Sequence, residues 1–367
     1  MKRTKQLLLI ASILIWASCN QTDFSNPEDV IKNYKVLSIE NKNDVLYNDY
    51  LSTKSKEFVT KDEYIKKRHK SDSLLSSTKI TETKISTYPV DINNPSIRRF
   101  KVEEESIIKS DTTNSIGYYT LLNEDGKWRI IWTGTLHSFA FEKYKTGNYS
   151  EARKTLEKMI EINPFDGSAY SLLAWCYYRD YSLTKNEREN GVVKNAKYAV
   201  TLEEENPEHY NTLAAYYSSI GNDDLAIQNF ERGLNYCKNV KDKSIFYSNL
   251  AGIYIENKKF EKAEEYIKLS INLDDKDAFI WLKYGQLMLN QDKISEAIEF
   301  LEKALTQEKM DSYLQGVLYY CYSECCLKKN MCEVAKEYIN KALDIEPDNY
   351  EYQALYRQIK YCNAKTQ

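Results

Sequence analysis

The chain has 367 residues, 42% hydrophobic and 29% charged, with a formal net charge of −3. That balance suits a folded body, and a mildly acidic chain without a basic run lacks the electrostatic footprint of a nucleic-acid binder. Eleven glycines and six prolines are few for the many turns of an all-β sandwich, and three histidines argue against a histidine-rich metal site.

The first eighteen residues read as an export address. Lys2, Arg3 and Lys5 form a positive start, and the apolar run Leu7 to Trp16 falls well short of the roughly 20 residues that span a bilayer. It ends in Trp16-Ala17-Ser18-Cys19. Small residues before a cysteine resemble the lipobox of bacterial lipoproteins, although Trp16 stands where leucine is usual. The resemblance implies cleavage after Ser18 and lipidation of Cys19, whose acyl chains would anchor the protein without a transmembrane helix. Cleavage would remove three cations and no acid, taking the net charge to −6. The expected location is the cell envelope, at the outer membrane, on either its periplasmic or its surface face. Residues 19–26 are a polar tether.

Residues 27–132 change period part-way. Pro27 opens a helix to about Glu40, with Val30, Ile31, Tyr34 and Leu37 on one face. Thr60-Lys61-Asp62-Glu63 is a capping box that starts a second helix, to about His69. Alternation of period two follows over 79–87, 97–109, 116–123 and 127–133, the last two flanking the turn Glu124-Asp125-Gly126. Helices followed by antiparallel strands make an α+β domain. This order, with the closing strand Gly126-Lys127-Trp128-Arg129-Ile130-Ile131-Trp132, resembles the cone-shaped nuclear-transport-factor-2-like fold. More narrowly, it is similar to the non-catalytic N-terminal extension of low-affinity penicillin-binding proteins. Relatives of that fold include isomerases with a buried acid as base, so an enzyme in the cone is one alternative. Asp49, between Tyr47 and Tyr50, is the acid it nominates, against the plainer reading of an exposed acid at a helix end.

From residue 133 a period of about 34 residues takes over. In one unit the recurring positions hold Trp281, Tyr284, Gly285, Met288, Ala297, Leu301 and Ala304; in another they hold Tyr210, Leu213, Ala214, Tyr217, Ala226, Phe230 and Gly233. Key alanines recur at Ala152, Ala226, Ala263, Ala297 and Ala335, and a polar insertion lies at 180–191. The large residues form one helical stripe, and the small ones let paired helices approach closely. The pattern resembles the tetratricopeptide repeat: six repeats over 133–349 with a capping helix at 350–362, in a domain running 133–367. The expected fold is therefore a small α+β cone-shaped domain followed by an all-α tetratricopeptide-repeat superhelix.

That resemblance implies which side chains face the concave groove. They are His137, Phe141, Tyr144 and Lys145 of the first unit and Trp175, Tyr178 and Arg179 of the second. Aromatic rings edged by cations are the usual composition of binding hot spots, while the competing reading packs them against the N-terminal domain. The next units carry Asn211, Ala215, Ser218, Ser248 and Gly252 there, smaller and more polar. The carboxylate clamp of chaperone-binding members is not visible, because Phe141, Trp175 and Glu208 replace its asparagines and lysine. Cys321, Cys325, Cys326 and Cys332 lack the paired spacing of zinc knuckles, and core packing is preferred to a disulfide or a metal site. Neither a catalytic set nor a cofactor motif stands out. The expectation is a non-enzymatic scaffold for a protein or peptide partner in the envelope, with no nucleic acid, metal or cofactor. The alternative from another class is a glycan-binding or nutrient-uptake accessory lipoprotein that stacks sugar on Trp175.

Overall fold

The computed structural model describes residues 22–362 apart from 77–79, 91, 93, 109–110, 308–309 and 311, so Cys19 lies outside the described residues. The chain forms two compact units, one ending at Leu213 and one starting at Ala214. It is mostly helical, with one four-stranded antiparallel sheet near the N-terminus.

Helix α1 (Pro27–Ile39) begins with Pro27 in its first turn and the Asn26 side chain accepting from the Glu28 N–H. A short α2 (Asn43–Val45), a π-helical turn (Leu46–Tyr50) and α3 (Thr53–Lys56) lead to α4 (Lys61–Ser76). The capping box before α4 closes in both directions: the Thr60 N–H donates to Glu63 at 2.9 Å, and the Glu63 N–H donates to the Thr60 hydroxyl at 3.3 Å.

The sheet is a meander of β1 (Ile80–Val90), β2 (Ile97–Ile108), β3 (Asp111–Glu124) and β4 (Lys127–Ile130). Asp125 and Gly126 both have positive φ, 52° and 78°, which is the primed hairpin geometry that matches strand twist. β3 starts earlier than its side-chain alternation suggested. Its polar start pairs in register with β2, for instance Thr112 with Ile107, and backbone hydrogen bonds need no apolar face. Val30, Ile31 and Tyr34 of α1 join Leu46, Tyr50, Leu51 and Tyr64 over Phe100, Val102, Leu121, Trp128 and Ile130 of the sheet to form this core.

Six helical hairpins follow among the described residues: α5 (Gly134–Lys145) with α6 (Tyr149–Ile162), α7 (Gly167–Arg179) with α8 (Lys185–Leu202), and α9 (Pro207–Ser219) with α10 (Asp223–Leu234). Then come α11 (Val240–Glu256) with α12 (Phe260–Leu273), α13 (Ala278–Asn290) with α14 (Ile294–Leu305), α15 (Ser312–Lys328) with α16 (Cys332–Ile345), and a last helix, α17 (Tyr350–Cys362). Ala152, Ala226, Ala263, Ala297 and Ala335 are all wholly buried. A Cβ on Gly285 would stand 2.6 Å from Leu301, so only glycine allows that approach. Left-handed residues turn the chain between the paired helices: Gly147 and Gly221, but also Lys258, Asp292 and Asn330 at φ 56° to 58°. The polar insertion resolves into a loop from Asp180 and a capping box, Thr184 with Glu187, that starts the long α8.

One cysteine of the cluster departs from core packing. Cys321, Cys325 and Cys326 are buried thiols, as are Cys176 and Cys237. Cys332 instead forms a disulfide with Cys362, with Cα atoms 6.0 Å apart, and so joins α16 to α17. The partner lies outside the cluster, on the terminal helix, where spacing within the cluster gave no sign of it.

Candidate functional site

α5 and α7 are the first helices of consecutive hairpins, and they touch. The same turn of each carries the side chains singled out from the sequence. Phe141, 45% exposed, stacks on Tyr144 with centroids 6.4 Å apart. The Lys145 ammonium lies over the Phe141 ring at 5.6 Å and pairs with Glu142 at 3.0 Å. Burial pushes the Tyr144 phenol up, and Arg179 beside it opposes that rise. The Arg179 guanidinium also lies 5.9 Å from the Tyr178 ring, which meets Trp175 edge-on at 5.7 Å. A connected strip therefore runs from Lys145 through Phe141, Tyr144, Arg179 and Tyr178 to Trp175. Trp175 is half-buried rather than open.

His137 lies one turn before Phe141, but its charge acts on Asp166 in the loop before α7. Burial pushes the Asp166 carboxyl up, while the Ala169 N–H and the Thr133 hydroxyl donate to it at 3.0 and 3.1 Å. Asp49 is exposed on the π-helical turn.

A second constellation, unread in the sequence, ties the sheet to the hairpins. Arg99 of β2 is buried and donates to Glu203 at 2.8 Å and to the Leu202 carbonyl at 2.5 Å. Glu203, just after α8, also accepts from the Gly167 N–H at 3.2 Å and from Asn206 at 3.1 Å. It lies 3.0 Å from His209 Nε2, and His209 Nδ1 lies 2.7 Å from the Ser171 hydroxyl. Nearby, Lys101 holds both oxygens of Glu205 at 2.8 and 2.9 Å. Burial pushes the Glu203 carboxyl up, but His209, Arg99 and Asn206 outweigh it and hold the group below its usual range.

Ser171, His209 and Glu203 follow the order of a hydrolytic triad, but the packing around them is that of a structural joint. His209 is wholly buried, and Glu203 is shared with Arg99. A Cβ on Gly167 would come within 2.8 Å of His209, so the space beside the imidazole is already filled.

Residues 135–166, 245–277 and 280–309 match the family model of the tetratricopeptide repeat. These stretches are tetratricopeptide repeats. The rRNA biogenesis protein rrp5 of Schizosaccharomyces pombe is 31% identical over 143 residues, which is 38% of this chain and 8% of that protein. Human DnaJ homolog subfamily C member 3 is 23% identical over 223 residues, 61% of this chain and 38% of that protein. The chain therefore spans well under half the length of either relative. Among solved structures, PilW, a widely conserved type IV pilus biogenesis factor, aligns with 61% of this chain and 97% of its own at 14% identity and a TM-score of 0.46. Pseudomonas aeruginosa pilF aligns with 62% of this chain and 97% of its own at 15% identity and a TM-score of 0.45.

The tetratricopeptide spacing explains contacts in the later repeats. Tyr284 stacks flat on Phe300 of its own repeat, centroids 3.9 Å apart. Its hydroxyl donates to Glu264 of the repeat before at 3.2 Å, and Tyr322 likewise donates to Glu302 at 2.9 Å. Each such pair stitches one repeat to the next.

Proposed function

We propose that this chain is a lipid-anchored scaffold of the bacterial envelope that holds a protein partner along the strip from Lys145 to Trp175. Tetratricopeptide repeats mediate protein–protein interaction, through extended surfaces built by neighbouring units. The observation that carries the reading is the continuity of the strip: aromatic rings and cations from two successive repeats touch one another, with Phe141 open to solvent. The envelope location rests on the positive start, the short apolar run and the Ala17-Ser18-Cys19 ending, with Cys19 as the lipidated residue. The N-terminal α+β domain, read as a non-catalytic cone, carries the array.

Crosslinking in whole envelopes, followed by capture and mass spectrometry, would identify the partner. Trp175→Ala should then weaken binding by about 2 kcal/mol or more, as truncated hot spots do. Arg179→Glu should weaken it further and change its salt dependence. The exposed Lys194→Glu is the control and should do little. Capture of every partner at full strength by folded Trp175→Ala protein would refute the strip as the site. Cys19→Ala should move the protein into the soluble envelope fraction, and a variant that still pellets after a salt wash would refute the anchor.

A further inference from the structure

A cavity of about 210 Å³ opens in the second unit between the end of α9, α10, α11 and α13. Its polar walls are Ser218, Asn249, Glu256 and Lys283, and Phe230 and Ile253 supply apolar lining. Lys283 reaches it by lying across Gly252, where a Cβ would stand 3.4 Å from the ammonium. The ammonium donates to the Gln286 amide oxygen at 3.2 Å and lies 5.0 Å from the Phe279 ring. Both partners are neutral. Glu256 acts on the Lys283 charge without forming an ion pair with it.

Lys283 is half-buried and Glu256 exposed, and a cation that gives up part of its water without an ion pair in return is incompletely compensated. Burial accordingly pulls the Lys283 pKa down. The cavity thus presents one positive and one negative group, too far apart to satisfy each other and close enough to interact. A ligand that satisfies both must carry a carboxylate and an ammonium a few atoms apart. A simple acid or amine answers only one wall.

We propose that this cavity binds a free α-amino acid, its carboxylate on Lys283 and its ammonium on Glu256. Ser218 and Asn249 supply further hydrogen bonds to the headgroup. Phe230 and Ile253 face a small aliphatic side chain, and the cavity volume suits a ligand of that size. The site is separate from the Lys145–Trp175 strip, so it stands or falls independently of the scaffold reading.

Isothermal titration of the full chain with alanine, valine and leucine tests this, with propionate and ethylamine as half-ligands. At least one of the amino acids should bind at submillimolar concentration, and both half-ligands should bind about tenfold more weakly or worse. Lys283→Met and Glu256→Gln should each weaken binding about tenfold or more while leaving the circular dichroism spectrum unchanged. Lys283→Met should also raise the melting midpoint, since it removes a half-buried charge that has no ion pair. The proposal is overturned if none of the three amino acids binds at millimolar concentration. It is equally overturned if propionate matches the best of them, or if folded Glu256→Gln protein binds as tightly as the unmodified chain.

Discussion

At the scale of single residues, the buried pair of Arg99 and Glu203 makes the sharpest demand. Removing one partner of a buried ion pair leaves the other charge unsolvated, which costs about 3 to 5 kcal/mol. Arg99→Met should therefore lower the stability measured by urea unfolding by roughly that amount. The acid limb carries a second signature. A carboxyl held below its usual range contributes stability above its unfolded pKa and loses it as pH falls through the folded one. Glu203 is such a group. Arg99→Met removes one of the charges holding it there, so the variant should lose less stability between neutral pH and the acid limb. Parallel slopes for both proteins would refute the assignment. None of this was legible in the sequence. Arg99 reads as one member of an alternating strand, and Glu203 as one of three successive acids. No spacing rule joins residues 104 positions apart. The residues expected in the groove, by contrast, were chosen by position in the repeat, and all of them except His137 touch one another in one strip. His137, one turn before Phe141, stands apart from that strip.

At the scale of elements, the helices were legible because three signals coincided: the 3.6-residue stripe, small residues at close approaches, and capping boxes. The start of β3 was hidden because pairing through backbone alone leaves no side-chain period. Hidden too were the turns in the later repeats, where glycine is absent. Lys258 occupies the left-handed region at φ 56°, a conformation that costs a non-glycine residue roughly 1 to 2 kcal/mol. Part of that is offset by the freedom glycine would gain in the unfolded chain. Lys258→Gly should consequently stabilise the chain by about 0.5 to 1 kcal/mol in thermal unfolding. The same change at Lys262, inside α12, should destabilise it by a similar amount. A loss of stability at position 258 would show that the lysine side chain compensates for its backbone.

At the scale of the molecule, repeats draw stability from neighbours, so a fragment of residues 133–367 should fold without the sheet. The Arg99–Glu203 joint qualifies this expectation. In the fragment, Glu203 keeps His209 and Asn206 but loses its guanidinium. Glu203→Gln should accordingly cost less stability in the fragment than in the full chain, and the difference between the two costs measures the coupling of sheet to array. Equal costs would show that the joint is indifferent to the sheet, and a fragment with little helical circular dichroism would show that the sheet is required for folding.

The disulfide between Cys332 and Cys362 bears on how the chain opens rather than on how it packs. A linear array ordinarily unravels from its termini, because a terminal repeat has a neighbour on one side only. The covalent clasp removes that asymmetry at the C-terminal end. Opening α17 then no longer frees it, and the stretch between the two cysteines returns from every excursion. Under oxidising conditions the amides of α16 and α17 should therefore exchange hydrogen slowly, in step with the interior of the second unit. A reductant should turn them into the first to exchange, while those of α12 and α13 change little. Fast exchange of α17 with the disulfide intact would mean that the clasp holds the chain without holding the helix.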